Sequence, residues 1–222
     1  MAFKVYMVRH GETLSNKMNK NQGWDDTPLT QQGKEDARKA GRHLANIKFD
    51  RAYSSDTGRA IATAELILAE NKLTKIRQPK TLKYFREQYY GSFEGCDYSD
   101  LWQTVMEPRG FDDLRKFSNH YTLDQTKDIY KKEDPKSLAE NHQEFWQRVE
   151  KGFAYLRAYC EDGDNVLLSS HGETIGCIVD RYSDLMKNRM DFPENGAVTK
   201  LTVDSDDIHV DYYNHYRDDQ TY

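Results

Sequence analysis

Residues 3–13 read FKVYMVRHGET, a short apolar, aromatic and β-branched run that ends on an arginine, a histidine and a glycine. The run predicts a strand over Phe3–Val8 that opens the fold. A glycine directly after the histidine allows close backbone approach at a turn where free N–H groups can face an anion. Residues 165–174 read NVLLSSHGET, a second strand running into the same tetrapeptide. The flanking sequences differ, so HGET is not a duplicated repeat.

Between and beyond these strands the periodicity alternates. Ala37, Ala40, Leu44 and Ile47 recur at helical spacing behind Thr30, a plausible N-cap, and predict a helix over 31–47. Asp50–Ser55 reads as a short strand; Asp56 can cap the next helix, which carries Ala60, Ala64, Ile67 and Leu68 on one face. An extended segment is expected within Lys75–Arg86, a long helix through Phe145, Val149, Phe153, Leu156 and Cys160, and a helix from His171 to about Met186. Ala197–Val203 and Ile208–Tyr213 read as strands around the acidic turn Asp204–Asp207, and the polar tail after Asn214 is expected to be mobile. Strands alternating with helices predict an α/β fold, a three-layer α/β/α sandwich around a mainly parallel sheet. One domain over residues 1–222 is expected, with the irregular, charged and aromatic residues 94–139 as a helical insertion or cap.

The 222 residues include 31% charged side chains and carry a net charge of -5. Their 12% aromatics and repeated apolar clusters favour a folded chain over a disordered one. The acidic balance, pI near 5.8, offers no global field for nucleic acid. No apolar run is long enough to cross a bilayer and residues 1–20 lack a signal-peptide core, so a cytoplasmic location with no membrane partner is expected. Cys96, Cys160 and Cys177 are scattered, without CxxC spacing, and read as reduced thiols. His43, His120, His142, His209 and His215 show no HxH or HExxH pattern, so no metal site is suggested.

Ligands of open α/β sheets gather at the carboxyl ends of strands. Arg9 and His10 follow the first strand, Arg59 lies just past the second, Glu87 ends the 75–86 segment, and His171 follows NVLLSS. An imidazole with one nitrogen held as donor exposes a nucleophilic lone pair on the other. Arginines fork onto phosphate oxygens, and a carboxylic acid can protonate a leaving alkoxide. The set suffices for phosphoryl transfer through a phosphohistidine.

Arg9-His10-Gly11-Glu12-Thr13 with Asn16, Gln22-Gly23-Trp24, Pro28-Leu29-Thr30 with Gly33, Ser54-Ser55-Asp56 with Arg59-Ala60, Arg86-Glu87 with Gly91 and Glu94-Gly95, and Ser170-His171-Gly172 together resemble the histidine phosphatase superfamily, also called the phosphoglycerate mutase-like family. The resemblance spans Phe3 to about Gly176 in order, and Asn195-Gly196 before a strand also fits. It implies His10 as the phosphorylated nucleophile, Arg9, Arg59 and His171 as the phosphate pocket, and Asn16 as an amide donor. It further implies Glu87 as proton donor and later base, Thr13, Gln22 and Gly23 as the substrate-facing loop, and the Gly172 N–H as a phosphate donor. Neither metal nor organic cofactor is implied for hydrolytic members, and His171 is expected to be protonated once phosphate binds.

Alternatives stay open at this level. Arg86 offers Glu87 a simple ion pair, and Glu94 competes for the acid's role. Mutases of the family usually follow the acid with Arg-His-Tyr-Gly, whereas this chain has Gln88-Tyr89-Tyr90-Gly91, and Gly95-Cys96-Asp97 lacks the usual lysine. Both departures favour a phosphatase acting on a small phosphorylated metabolite, with inorganic phosphate as product. A mutase, or a non-catalytic phosphate-binding protein, is the alternative.

Overall fold

The computed structural model describes residues 1–186 and 191–222. Its sheet has six strands in the order β3-β2-β4-β1-β5-β6. β1 (Phe3–Arg9), β2 (Arg51–Ser54), β3 (Lys80–Thr81) and β4 (Asn165–Ser170) run parallel, while β5 (Val198–Val203) and β6 (Ile208–His215) are antiparallel. Successive side chains of a strand point to opposite faces. Accordingly Phe3, Val5 and Met7 enter the core on one face of the sheet, and Tyr6 and Val8 the core on the other.

Helices α7 (His142–Tyr159) and α8 (Gly172–Tyr182) supply the first core through Phe145, Val149, Phe153, Ile175 and Ile178. α2 (Gln31–His43) and α3 (Gly58–Glu70) supply the second through Ala40, Ala64, Ile67 and Leu68. The layered α/β/α arrangement and the mostly parallel sheet are as the sequence predicts. Among the described residues, no helix is long and apolar enough to cross a membrane.

Several local expectations are corrected. α2 ends at His43, with Leu44 as its C-cap. The 75–86 segment contributes only the two-residue β3 and a 3₁₀ turn at Lys83–Phe85. Asp56 does not cap α3, whose N-cap is Thr57. Instead Asp56 holds Arg86 bidentately, at 2.6 and 2.7 Å, which removes Arg86 as a partner for Glu87. α8 stops at Tyr182, short of Met186. The C-terminal tail is pinned: Tyr222 stacks on His43, and Asp218 takes His43 at 2.8 Å and Lys39 at 3.5 Å.

Residues 94–139 fold as short helices: α4 (Tyr98–Leu101), a π-helical turn at Trp102–Met106, α5 (Leu114–His120) and α6 (Leu123–Glu133). They gather a third apolar cluster of Leu101, Val105, Met106, Phe117 and Tyr130, joined by Tyr90 and Phe93. Capping boxes on α6 (Thr122–Gln125) and α7 (Asn141–Glu144) satisfy end groups that would otherwise lack partners.

Candidate active site

The β1–β4 register pairs Arg9 with Ser170, so the next residues, His10 and His171, stand side by side. Their rings meet edge-on with centroids 5.2 Å apart. Backbone bonds hold the turn: the His10 N–H donates to Ser170 O at 3.0 Å, and Asn195 Nδ2 donates to His10 O at 2.9 Å. A Cβ on Gly11 would lie 2.0 Å from Gly33 O, so α2 can seat against this turn only because residue 11 has none.

His10 Nδ1 lies 2.9 Å from Gly11 O. A carbonyl only accepts, so Nδ1 carries the proton and Nε2 keeps its lone pair. Burial, reinforced by Arg59 and Arg9, holds the ring's pKa well below the ordinary histidine value, which favours the neutral ring with its Nε2 lone pair. His171 is fully buried: its Nδ1 lies 3.0 Å from Arg59 Nη2, and its Nε2 lies 2.7 Å from Ser55 Oγ. Because guanidinium only donates, Nδ1 accepts and Nε2–H donates to Ser55. Burial, then Arg59, depresses this pKa strongly too.

Arg59 enters from the first turn of α3 and is enclosed. Nη1 reaches Asp25 O at 2.7 Å and Asp26 at 3.1 Å, and Nη2 reaches Gly23 O at 2.7 Å. Asp26 also accepts the Gly58 N–H, tying the 22–28 loop to the start of α3. Arg9 donates to Pro193 O at 2.6 Å and packs over Gly172, where a Cβ would come within 3.1 Å of its Nε. The Nε atoms of Arg9 and Arg59 are buried without a partner among the described residues. These are charged donors of the kind an oxyanion satisfies.

Glu87 sits at the N-terminus of α8. Oε2 accepts Glu173 N–H and Oε1 accepts Thr174 N–H, both at 2.9 Å, which leaves the Gly172 N–H as the remaining first-turn donor. Burial and the nearby Glu173 carboxylate nevertheless push the Glu87 pKa up, against those donors. Arg148 of α7 donates to the carbonyls of Tyr84, Arg86 and Glu87 and fixes the loop that presents it. Glu94 accepts N–H groups from Gly23, Trp24, Asp25 and Tyr90 at 2.9–3.1 Å, organising the loop over Arg59.

A cavity of about 440 Å³ opens over these strand ends, lined by Arg9, His10, Asn16, Gln22, Glu87 and Gly172 at one end. The structure thus brings six of the anticipated residues to one space. Arg59 and His171 do not line this space; they contact each other at 3.0 Å, and the His171 ring meets that of His10, which does. Thr13 is buried as the N-cap of α1 (Leu14–Lys17) and donates to Gln22 Oε1 at 2.7 Å, and the Gly23 N–H is taken by Glu94. Asn16 closes that capping box with its oxygen, so its NH₂ is the side left to donate. Sequence reasoning missed Ser55, Asp26 and Arg148. Ser55 lay inside the quoted Ser54-Ser55-Asp56 block, but nothing local marks Arg148 in its helix.

Paired histidines at parallel strand ends, two enclosed arginines and a carboxylic acid across a cavity define the framework of a histidine phosphatase. The family model of the histidine phosphatase superfamily (branch 1) matches residues 5–215, and the chain belongs to that family. It is 30% identical over 190 residues to a 2,3-bisphosphoglycerate-dependent phosphoglycerate mutase of Methanococcus vannielii, 79% of each chain being covered. A phosphoglycerate mutase crystal structure from Bacillus anthracis superposes with a TM-score of 0.88 at 30% identity, covering 97% of this chain and 94% of that one. A putative alpha-ribazole-5'-P phosphatase from Escherichia coli shares the fold at a TM-score of 0.71 and 24% identity, with 97% and 98% covered.

Proposed function

We propose that this chain is a metal-independent phosphatase that hydrolyses a small phosphate monoester through a phosphohistidine at His10. The observation that carries the reading is the His10 tautomer: Nδ1 is committed to Gly11 O, and Nε2 is free to attack. As the Nε2–P bond forms, the ester P–O bond breaks, its electron pair leaves with the alkoxide, and Glu87 supplies the proton. Water then loses a proton to Glu87 and attacks phosphorus; the N–P bond breaks, its pair returns to Nε2, and inorganic phosphate is released. Arg9, Arg59 and His171 stabilise the charge spread over the transferring oxygens, with Asn16 and the Gly172 N–H as neutral donors. Thr13, Gln22 and Gly23 shape the loop beside them.

Labelling by a phosphodonor tests this: acid-labile, alkali-stable phosphate is expected on the protein and lost in His10→Ala. A protein that takes up no label and hydrolyses no phosphomonoester overturns it. The second reading, a phosphoglycerate mutase, is supported by the names of the 30% identical relatives. Against it stand Gln88-Tyr89 where mutases usually carry Arg-His, with loss of an arginine suited to the glycerate carboxylate, and Gly95-Cys96-Asp97 without the usual lysine. Release of inorganic phosphate from 3-phosphoglycerate, compared with isomerisation primed by 2,3-bisphosphoglycerate, separates the two.

A further inference from the structure

The cavity does not end at the phosphate groups. It continues beneath residues 94–139, where Leu101, Trp102, Met106, Phe117, Leu123 and Tyr130 form its walls. Leu101, Met106 and Phe117 are buried among the side chains that border this space. Three of the hydroxyls that line it are already committed, and those of Tyr98, Tyr121 and Tyr130 also border it. Ser118 donates to Arg115 O at 3.1 Å, Thr126 to Thr122 O at 3.0 Å, and Tyr90 to Glu173.

Charge follows the same division. Among the described lining residues the charged groups are Arg9, Lys20, Glu87 and Glu173. Arg9 and Glu87 belong to the phosphate end. Lys20 is held by Asp97 at 3.3 Å and by Gly95 O at 3.2 Å, and Glu173 by Lys127 at 2.9 Å. A substrate carboxylate or second phosphate placed among the apolar walls, away from Lys20, would bury an unmatched charge, which is costly. An uncharged hydrocarbon group would lie against Leu101, Trp102, Met106, Phe117 and Leu123.

Resting on the phosphatase reading above, we infer that the substrate is a phosphate monoester of an apolar alcohol, whose alkyl or aromatic part fills the chamber formed by residues 94–139. Primary alkyl phosphates make the test, because ethyl, butyl and hexyl phosphate differ in apolar length and hardly in leaving-group chemistry. Each methylene buried contributes about fourfold to kcat/KM, from about 0.8 kcal/mol per CH₂, until the chamber is full. Hexyl phosphate is expected to exceed both ethyl phosphate and 3-phosphoglycerate by more than tenfold. Thr126→Trp, which fills the chamber from α6 without deleting any apolar side chain, should collapse the hexyl-to-ethyl ratio toward one.

A flat or falling series, or preference for 3-phosphoglycerate, overturns the inference while leaving phosphatase activity standing. Failure of the catalytic reading is distinguished by calorimetry with the matching alkylphosphonates, which need no turnover. Tighter binding along that series supports the chamber even if no ester is hydrolysed, and equal binding overturns it.

Discussion

Arg59 Nη2 lies 3.0 Å from His171 Nδ1, a contact that only a neutral imidazole can accept. The resting site therefore holds His171 uncharged, with its pKa depressed first by burial and then by Arg59. An oxyanion entering beside it favours the protonated ring, whose Nδ1–H can no longer accept from Arg59 and has to give up that contact to donate to the anion. Binding of sulfate, which does not titrate near neutrality, should therefore take up close to one proton. Calorimetry in buffers of different ionisation enthalpy reads this directly. The uptake should disappear in His171→Gln and persist in His10→Gln, and affinity should weaken about tenfold per pH unit while uptake continues.

The same depressed histidines set the acid limb of stability. His10 and His171 are both buried and held well below the ordinary pKa. Between the folded and unfolded pKa values the unfolded chain binds more protons, so stability rises with pH there and falls as pH drops below about 6.5. The limiting slope is about 1.4 kcal/mol per pH unit for each histidine. Glu87 acts oppositely: its raised folded pKa favours the folded state at acid pH, and that contribution is lost as pH climbs through the folded value. Urea titrations from pH 7 to 4 should show a steep loss that is roughly halved in His171→Gln.

Glu87 and Glu94 are seven residues apart and should respond differently to amide replacement. Glu87 faces the cavity, whereas Glu94 accepts four backbone N–H groups. Glu87→Gln should slow alkyl phosphates by two orders of magnitude or more, within the usual range for a lost general acid, and p-nitrophenyl phosphate far less. Glu94→Gln should lower stability by about 1–3 kcal/mol and reduce both substrates equally. Equal losses in Glu87→Gln would transfer the acid's role away from it.

How much of this the chain announces depends on how local each cause is. The helix and strand periodicities gave the three layers, and the strand ends placed both histidines, because register needs only adjacent parallel strands. The repeated HGET shows where such reading stops. Gly11 permits contact with the Gly33 backbone, whereas Gly172 makes room for the Arg9 side chain. Thr13 caps α1, whereas Thr174 donates its hydroxyl to Arg86 O and its N–H to Glu87. Identical tetrapeptides do four different jobs: only the cap partner of Thr13, Asn16, is local, and the partners of Gly11, Gly172 and Thr174 lie far along the chain, where no local pattern encodes them. Asp56 was misread for the same reason: its cap geometry is local, but Arg86 offers two charge-assisted bonds.

Lys127 supplies the remaining test. It is a fully buried ammonium on α6, 2.9 Å from Glu173 and 3.0 Å from Cys177 Sγ, and it joins residues 94–139 to the helix whose N-terminus holds Glu87. Lys127→Met leaves the Glu173 carboxylate buried with the Tyr90 hydroxyl alone, which should cost roughly 3–5 kcal/mol in denaturant titrations. Lys127→Met/Glu173→Gln should recover most of that loss, since no uncompensated charge remains. The pH profile distinguishes this from simple loosening. Without Lys127 the Glu173 charge acts unopposed on Glu87, whose pKa it already raises, so the alkaline limb of kcat/KM should move to higher pH. In the double variant that repulsion is gone, and the limb should fall below its position in the unmodified protein. An alkaline limb that stays fixed in both variants would show that the Lys127–Glu173 pair has no electrostatic hold on Glu87.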